Sequence, residues 1–208
     1  MRFASCLCLI PLTLSFALSQ VAERHRPADC PPEIDVHGDH ALRDVSLPPS
    51  DKCSISNKNG FLIPDPSCTP GAVNPTLTLE VMKEPNFRTG CVRDQDTQPQ
   101  DKAKTYHWYG LAKPANNPGE NQICELDHLI SLELGGADSL DNIWPQCGPS
   151  HVALEQRFFK RKDTVENFLA KQVRDGKISL PDAQKGIATD WTQYLEEAEK
   201  ACPGGNCE

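Results

Sequence analysis

The chain lacks the features that mark several common protein classes. No segment after residue 18 is apolar enough to span a bilayer, which excludes a multi-span membrane protein. No two cysteines have the C-x-x-C spacing, which argues against a zinc site. No acceptor site for N-glycosylation occurs, because Asn74-Pro75-Thr76 has a proline in its middle position. No internal repeat is present either.

Basic residues are in the minority. The 21 Lys and Arg residues face 29 Asp and Glu residues, so the formal net charge is −8. A protein that coats nucleic acid by charge needs a basic surface, and that class is therefore excluded. The 38% of hydrophobic residues suffices for one modest core, which argues against a fully disordered chain or a coiled coil. A length of 208 residues allows one domain with an irregular arm.

Residues 1–19 have the pattern of a secretory signal peptide. A short basic start precedes residues 4–18, which are almost wholly apolar or small, and a small-x-small cleavage pattern ends at Ser19. A membrane anchor is the alternative, but the run is shorter than the roughly 20 residues that a spanning helix needs, and Pro11 interrupts it. We therefore expect a secreted, extracellular protein without membrane contact after removal of the signal.

The remaining cysteines predict a disulfide-stabilised fold. Two of the ten cysteines fall in the signal, which leaves an even number in a secreted chain and predicts up to four disulfides. The eight are Cys30, Cys53, Cys68, Cys91, Cys124, Cys147, Cys202 and Cys207.

Composition divides the rest of the chain into three parts. Residues 20–64 are rich in Pro, Asp, Ser and Lys without periodicity, which predicts an irregular N-terminal arm. His37 and His40 could contact a metal ion there, but a solvated loop is the better interpretation. Residues 65–201 form the predicted domain, and residues 202–208 a C-terminal tail.

Hydrophobic periodicity predicts a strand and two helices in this domain. Residues 76–81 alternate and are typical of a β-strand. Apolar residues at spacings of three, four and seven predict a helix from about residue 151 to residue 174, ended by Asp175-Gly176. Ser179 before Pro181 predicts the start of a second helix.

A β-hairpin is predicted immediately before the first helix. Residues 126–134 and 140–144 are typical of strands, and the Gly-Gly-Ala-Asp turn at 135–138 lies between them. If Gly135-Gly136 is the centre of the hairpin, paired positions sum to 271 and Cys124 faces Cys147. Directly opposed residues are close enough for a disulfide. Cys91 is the competing partner for either cysteine.

In the predicted order of strand, turn, strand and helix, Asp127 and His128 lie on the first strand and Asn142 lies at the second. This pattern resembles the HNH, or His-Me finger, nucleases. The resemblance extends through Glu-x-Asp-His-Leu-Ile-x-Leu-Glu-Leu-Gly-Gly and Asp-Asn-Ile-Trp-Pro-Gln to a set of secreted HNH-like proteins of bacteria and fungi, and covers about residues 65–195. It implies an α+β fold with a ββα-metal core and C-terminal helices.

The resemblance implies a secreted, metal-dependent endonuclease that hydrolyses phosphodiester bonds of DNA or RNA. His128 would be the general base, since a neutral imidazole can take a proton from water near neutral pH. Asn142 would orient His128. Asp127 would be a ligand of a divalent cation, with Mg²⁺ as the expected ion because it needs only one or two carboxylates, and Glu125 is a reserve ligand. In a regular strand Asp127 and His128 point to opposite faces, so they serve one site only at a bulge or at a strand end.

The predicted helix departs from the family motif at the second metal ligand. Phe159 stands where the family has His or Asn, three residues before Lys162, so His151 and Glu155 are candidate substitutes one helical turn apart. We expect cation dependence, because no Lys or Arg adjoins the Asp-His pair in the sequence.

Candidate substrate contacts come from two sources. Lys160 and Lys162 belong to the best phosphate-binding cluster of the chain. The resemblance implies that Arg93 and Lys102 line the cleft. The alternative function is a catalytically inactive secreted binding or effector protein on the same fold.

Overall fold

The structure is a computed structural model that describes residues 27–36, 52–94 and 102–207. The predicted signal peptide, residues 1–19, lies outside the described residues, as do His37 and His40. Within the described part, no helix combines the length and the apolar character that crossing a membrane requires.

Short strands and helices alternate with 3-10 turns. The strands form two separate antiparallel pairs, and the helices gather towards the C-terminus, which confirms the predicted α+β class. In chain order the elements are β1 (Ser56–Lys58), β2 (Phe61–Ile63), α1 (Leu79–Met82), α2 (Lys104–Trp108), β3 (Cys124–His128), β4 (Ile143–Cys147), α3 (Phe158–Arg174), α4 (Leu180–Asp190) and α5 (Leu195–Ala201).

The predicted N-terminal arm, residues 20–64, contains a hairpin that the composition did not predict. Strands β1 and β2 pair around Asn59-Gly60, and both turn residues have positive φ angles of 52° and 85°. This conformation suits an Asn-Gly turn between two twisted strands. The arm is therefore ordered at its C-terminal end.

The strand predicted at residues 76–81 is wrong. Thr78 instead caps the short helix α1, and its hydroxyl accepts a hydrogen bond from the backbone N–H of Val81. A threonine cap satisfies a helix N–H that has no partner inside the helix, which outweighs the β-propensity of the alternating residues.

The pairing of β3 with β4 confirms the predicted register, although the strand bounds differ. Cys124 faces Cys147 and His128 faces Ile143. The strands predicted at 126–134 and 140–144 overlap β3 and β4 only in part, because β3 ends at His128 and β4 begins at Ile143. Between them lies a compact loop with two 3-10 turns, Leu132–Leu134 and Leu140–Asn142.

Helix α3 begins later than predicted. Residues 148–157 form an irregular segment with a 3-10 turn at Leu154–Gln156, and the helix starts at Phe158. The side chain of Arg157 donates hydrogen bonds to the backbone oxygens of Glu120 and Gln122, which fixes the chain just before the helix. The C-terminal end of helix α3 agrees with the prediction, because Gly176 adopts the left-handed conformation with φ +73°.

The second predicted helix is divided into two. Its predicted start is confirmed, since the Ser179 hydroxyl accepts a hydrogen bond from Asp182 N–H. Helix α4 ends at Asp190, whose carboxylate accepts from Thr192 N–H and caps the 3-10 turn Trp191–Tyr194. Helix α5 follows this turn.

The main apolar core lies among α3, α4 and α5. Trp191 and Ile187 are fully buried there against Phe168 and Leu169 of α3. A second cluster contains the aromatic residues Trp108, Tyr109 and Trp144. Helix α3 contacts both β3 and β4, so the hairpin and the helical core share one element.

Four disulfides join the chain, as the cysteine count predicts. The Cys124–Cys147 bridge is confirmed, and Cys91 is bonded to Cys30 instead. The other pairs are Cys53–Cys68 and Cys202–Cys207.

Candidate functional site

A small cavity of about 130 Å³ opens where β3 ends, between the β3–β4 loop and helix α3. His128, Arg93 and Ser131 line it. Five carboxylates also line the wall, from Glu125, Asp127, Glu133, Asp163 and Glu166. Asp127 and His128 therefore share one cavity, and they do so at the end of an unbulged strand.

The His128 ring is held by a buried carboxylate. Its Nε2 lies 2.7 Å from Asp138 Oδ1, and Lys102 Nζ lies 2.5 Å from the same oxygen. The backbone N–H of Asp94 donates to the other oxygen of Asp138. Asp138 is thus fixed from three directions.

The surroundings of this pair favour a neutral His128 and an ionised Asp138. Burial lowers the pKa of His128 below its usual value, although Asp138 opposes the shift. Burial would raise the pKa of Asp138, but the hydrogen bond from His128 and the charge of Lys102 hold it well below its usual range. A neutral imidazole beside a carboxylate donates its Nε2–H to that carboxylate, which leaves the lone pair on Nδ1.

No pattern in the sequence indicates Asp138 as a functional residue. The Gly-Gly-Ala-Asp stretch that contains it predicts only a turn. The contact joins positions ten residues apart across the β3–β4 loop, whose path no periodicity in the sequence predicts.

Asn142 contacts the backbone of the β3–β4 loop. It is fully buried, accepts a hydrogen bond from Ile130 N–H and donates to the backbone oxygens of Ile130 and Ala137. Its amide therefore holds the two sides of the β3–β4 loop together. The side chain that contacts the His128 ring is Asp138, so the predicted role of Asn142 in orienting His128 stays a prediction that could act only through the loop.

Lys162 is fully buried and contacts two of the carboxylates that line the cavity. Its Nζ lies 2.9 Å from Asp127 Oδ2 and 2.7 Å from the backbone oxygen of His128, and it also donates to Glu166 Oε1. Burial alone would lower the pKa of Lys162, but the charges of Asp127 and Glu166 hold it above its usual range. An ammonium has three protons, and these acceptors use all of them.

Two expectations about Lys162 are therefore wrong. It cannot bind substrate phosphate, because none of its side chain is exposed. A lysine does stand beside the Asp-His pair, contrary to the expectation taken from the sequence. Spacing was the available signal, since 162, 165, 169 and 173 recur at intervals of three and four and place Lys162 on the apolar face.

The cavity carboxylates repel one another. Burial, and then the charges of Asp127 and Asp163, raise the pKa of Glu125 to about 7. Burial and the charge of Asp163 also raise the pKa of Glu133. Burial raises the pKa of Glu166 well above its usual range, against the opposing charge of Lys162. Asp163 of α3 is electrostatically coupled to each of these groups.

The other predicted site residues are divided between the cavity and the surface. Arg93 lines the cavity, and Lys102 is held by Asp138. Lys160 lies beside the cavity, paired with Asp163 at 2.8 Å and partly exposed. His151 and Glu155 are exposed in the segment before α3 and do not line this cavity. The expected one-turn spacing of these two residues is wrong, because the helix begins only at Phe158.

Most of the cavity side chains are oxygen donors, but as far as the structure describes the chain they are not arranged as a metal site. Among the residues that the structure describes, no three His, Cys, Asp or Glu side chains are grouped closely enough to hold a metal ion. The carboxylates and the hydroxyl of the wall are oxygen donors, the type that a hard cation prefers, but in the described part of the chain they are not grouped as a metal site. Ser131 is 4% exposed and lines the cavity, and its Oγ has no hydrogen-bond partner within the described part of the chain.

Comparisons with models of protein families, with curated proteins and with solved structures found no match to this chain. The site itself therefore carries the functional argument. It consists of a neutral histidine bonded to a carboxylate, a cavity lined by oxygen donors, and an arginine on the same wall.

Proposed function

We propose that the protein is a metal-dependent endonuclease of the HNH, or His-Me finger, type that hydrolyses phosphodiester bonds of DNA or RNA. The observation that carries the proposal is the His128–Asp138 pair at a carboxylate-lined cavity that also contains Arg93. The order of β3, β4 and α3, with the helix in contact with both strands, supports a ββα-metal core.

His128 acts as the general base in this proposal. Because its pKa is low, the imidazole is neutral near pH 7, and Nδ1 can take a proton from the attacking water. Asp138 keeps Nε2 protonated and stabilises the imidazolium that forms after the transfer. Asp138 is thus a positioning residue for the base.

Arg93 is the group on the cavity wall that can pair with a phosphate oxygen. The carboxylates around it would repel a phosphodiester, so a cation is needed beside them. Mg²⁺ bound by cavity carboxylates, of which Glu125 and Asp127 are the predicted ligands, would offset the charge of the phosphate and of the leaving oxygen. Lys160, partly exposed at the rim, can contribute a further phosphate contact.

Secretion is also part of the proposal. Four disulfides support a protein that works in an oxidising compartment, since such bonds are rare in the cytosol. The extracellular substrate would then be free DNA or RNA.

The test is cleavage of supercoiled plasmid DNA and of single-stranded RNA, with Mg²⁺ or with excess chelator. We expect cleavage only with the cation, and a loss on the order of 10²- to 10⁴-fold in His128→Ala. The control His107→Ala removes an exposed histidine of α2 and should keep full activity. Full activity in folded His128→Ala protein would end the proposal.

A second variant tests the role of Asp138. Asp138→Asn removes the group that raises the pKa of His128, so we expect a slower reaction whose acidic limb moves to lower pH. A merely structural role for Asp138 would lower the rate without moving the pH profile.

The second candidate function is a catalytically inactive binding or effector protein on the same fold. The observation in its favour is Lys162, whose ammonium already engages the carboxylate of Asp127. Binding of DNA or RNA in a gel-shift assay, without cleavage in Mg²⁺, Mn²⁺ or Ca²⁺, would support this alternative.

A further inference from the structure

We propose that a groove between α3 and the C-terminal tail binds the nucleoside next to the cleaved phosphate of a single-stranded nucleic acid. This tail groove lies between residues 155–167 on one side and residues 199–206 on the other, and its volume is about 500 Å³. The inference rests on the proposed function, because it assigns the part of the substrate that does not fit beside His128.

The cavity at His128 is too small for a nucleoside. Its volume of about 130 Å³ leaves room for a phosphate group, whereas pockets for small organic ligands measure roughly 300–1,000 Å³. The tail groove falls within that range. Asp163 lines both spaces, so they adjoin each other along α3. A strand whose phosphate lies in the cavity can therefore place its next nucleoside in the tail groove.

Direct contacts fix the tail against α3. Asn167 Nδ2 donates to the backbone oxygen of Gly205 at 3.1 Å, and a Cβ on Gly205 would lie 3.8 Å from Thr164 Oγ1. The Cys202–Cys207 bridge closes the tail into a covalent ring. The two sides of the tail groove are thus held in place before a ligand arrives, which reduces the ordering cost of binding.

Four charged side chains of the tail groove are already paired. Lys160 Nζ lies 2.8 Å from Asp163 Oδ2, and Arg161 Nε lies 2.7 Å from Glu199 Oε1. A bound ion would have to compete with these pairs for their charges. The pairing therefore favours a neutral polar ligand, and the base and sugar of a nucleotide are such a ligand.

Arg161 offers a flat surface for a base. Its guanidinium lies over the Phe61 ring, 4.8 Å from the ring centroid, and Glu199 accepts from its Nε, so its orientation is fixed. The side chain is 27% exposed and lines the tail groove. Unpaired bases stack on guanidinium planes as they do on aromatic rings. Arg161 is therefore the expected stacking surface.

Two exposed amides can contact the edge of the base. Gln156 belongs to the segment before α3, and Asn206 belongs to the tail. Within the described part of the chain, neither side chain makes a hydrogen bond. An amide donates and accepts on one group, which matches the mixed donors and acceptors of a base edge.

The acidic balance of the chain favours an unpaired substrate. With a net charge of −8, attraction to phosphates contributes little affinity, so contacts to bases must supply part of it. A base inside a duplex is paired and stacked, and its release into a groove costs free energy. A single strand avoids this cost. The tail groove therefore selects single strands over duplexes.

The test measures binding of a short fluorescein-labelled single-stranded DNA, and of its duplex, by fluorescence anisotropy. The protein is the full chain with His128→Ala, so that the probe stays intact. We expect the single strand to bind about tenfold more tightly than the duplex. Arg161→Lys keeps the charge but loses the plane and should weaken binding of the single strand about tenfold. Gln156→Ala and Asn206→Ala should each weaken it about threefold.

The matched control is Gln172→Ala, which removes an amide of the same helix outside the tail groove and should leave the affinity unchanged. Kinetics of the protein with His128 intact give a second readout. The groove variants should raise KM for single-stranded DNA and leave kcat nearly unchanged, because they touch the substrate away from the reacting atoms. A merely structural role would instead lower the fraction of folded protein.

Three outcomes would overturn the inference: equal affinity for the single strand and the duplex, unchanged affinity in Arg161→Lys and Gln156→Ala, or an equal loss in Gln172→Ala. Failure of the proposed function looks different. In that case the groove variants weaken binding of the single strand as expected, but the protein with His128 intact cleaves no nucleic acid. Cleavage with an unchanged KM in all three groove variants would keep the function and reject this site.

Discussion

Both halves of helix α3 bury apolar side chains, but only the N-terminal half, which contains Phe159 and Val165, also buries a charged one. The C-terminal half contributes Phe168, Leu169 and Val173 to the apolar core, each at most 3% exposed. The N-terminal half buries Lys162 completely, with carboxylates on either side. Apolar groups are stabilised by burial itself, whereas a buried ion pair often contributes less than a well-packed apolar replacement would. The buried charges of the N-terminal half therefore indicate a functional site, whereas the apolar side chains of the C-terminal half stabilise the fold.

The largest expected loss of stability follows from removal of the buried ammonium group of Lys162. Lys162→Met keeps the length of the side chain but leaves Asp127 and Glu166 buried without their partner. We expect a loss of about 3–5 kcal/mol in the free energy of unfolding, measured by urea denaturation.

The matched control lies on the same helix. Lys171→Met removes a partly exposed partner of Asp175, 3.4 Å away, and should cost no more than about 0.5 kcal/mol. Equal losses of unfolding free energy in the two variants would show that burial does not make Lys162 more important for stability than Lys171.

A large-to-small change in the apolar half gives the next effect. Leu169→Ala leaves a cavity in the helical core and should cost about 2–5 kcal/mol. Because no titratable group is removed, this loss should stay constant between pH 7 and pH 4 in the same denaturation experiment. A loss that changes strongly with pH would show that the two halves are energetically coupled.

The smallest effect distinguishes the charged region by its pH dependence. The pKa of Asp138 lies below its usual 3.8 in the folded protein, so its contribution to stability is present above that pH and is lost as the pH falls through the folded-state value. The stability difference between wild type and Asp138→Asn should therefore shrink below about pH 4. A constant difference over this range would contradict the charged state of Asp138.

Part of the fold could be predicted because its signals are local, as at helix ends, or symmetric about one point, as in the pairing of β3 with β4. Ser179 and Gly176 mark helix ends through their own backbone and side-chain contacts. The pairing of Cys124 with Cys147 was predicted from a tight hairpin that does not exist. The register still held, because residues 129–142 are centred on Gly135-Gly136 whatever their internal structure, so the sum of paired positions is unchanged.

The site was harder to predict because its contacts join distant positions. Lys162 contacts the backbone oxygen of His128, 34 residues away, and no periodicity shows which apolar-face position will hold a charge. Asp138 looked like an ordinary turn residue. The residue types of the Asp-His pair were informative, but the partners of that pair depend on how the loop and α3 pack.

The Cys124–Cys147 bridge closes a covalent ring around most of the site. Residues 125–146 lie inside this ring, including His128, Ser131, Glu133 and Asp138, whereas Lys162 and Asp163 reach it from outside. A single proteolytic cut in the ring would therefore leave both pieces of the loop attached to the protein. Only a reductant could release them, so the chemical durability of the site depends on the redox state of its surroundings.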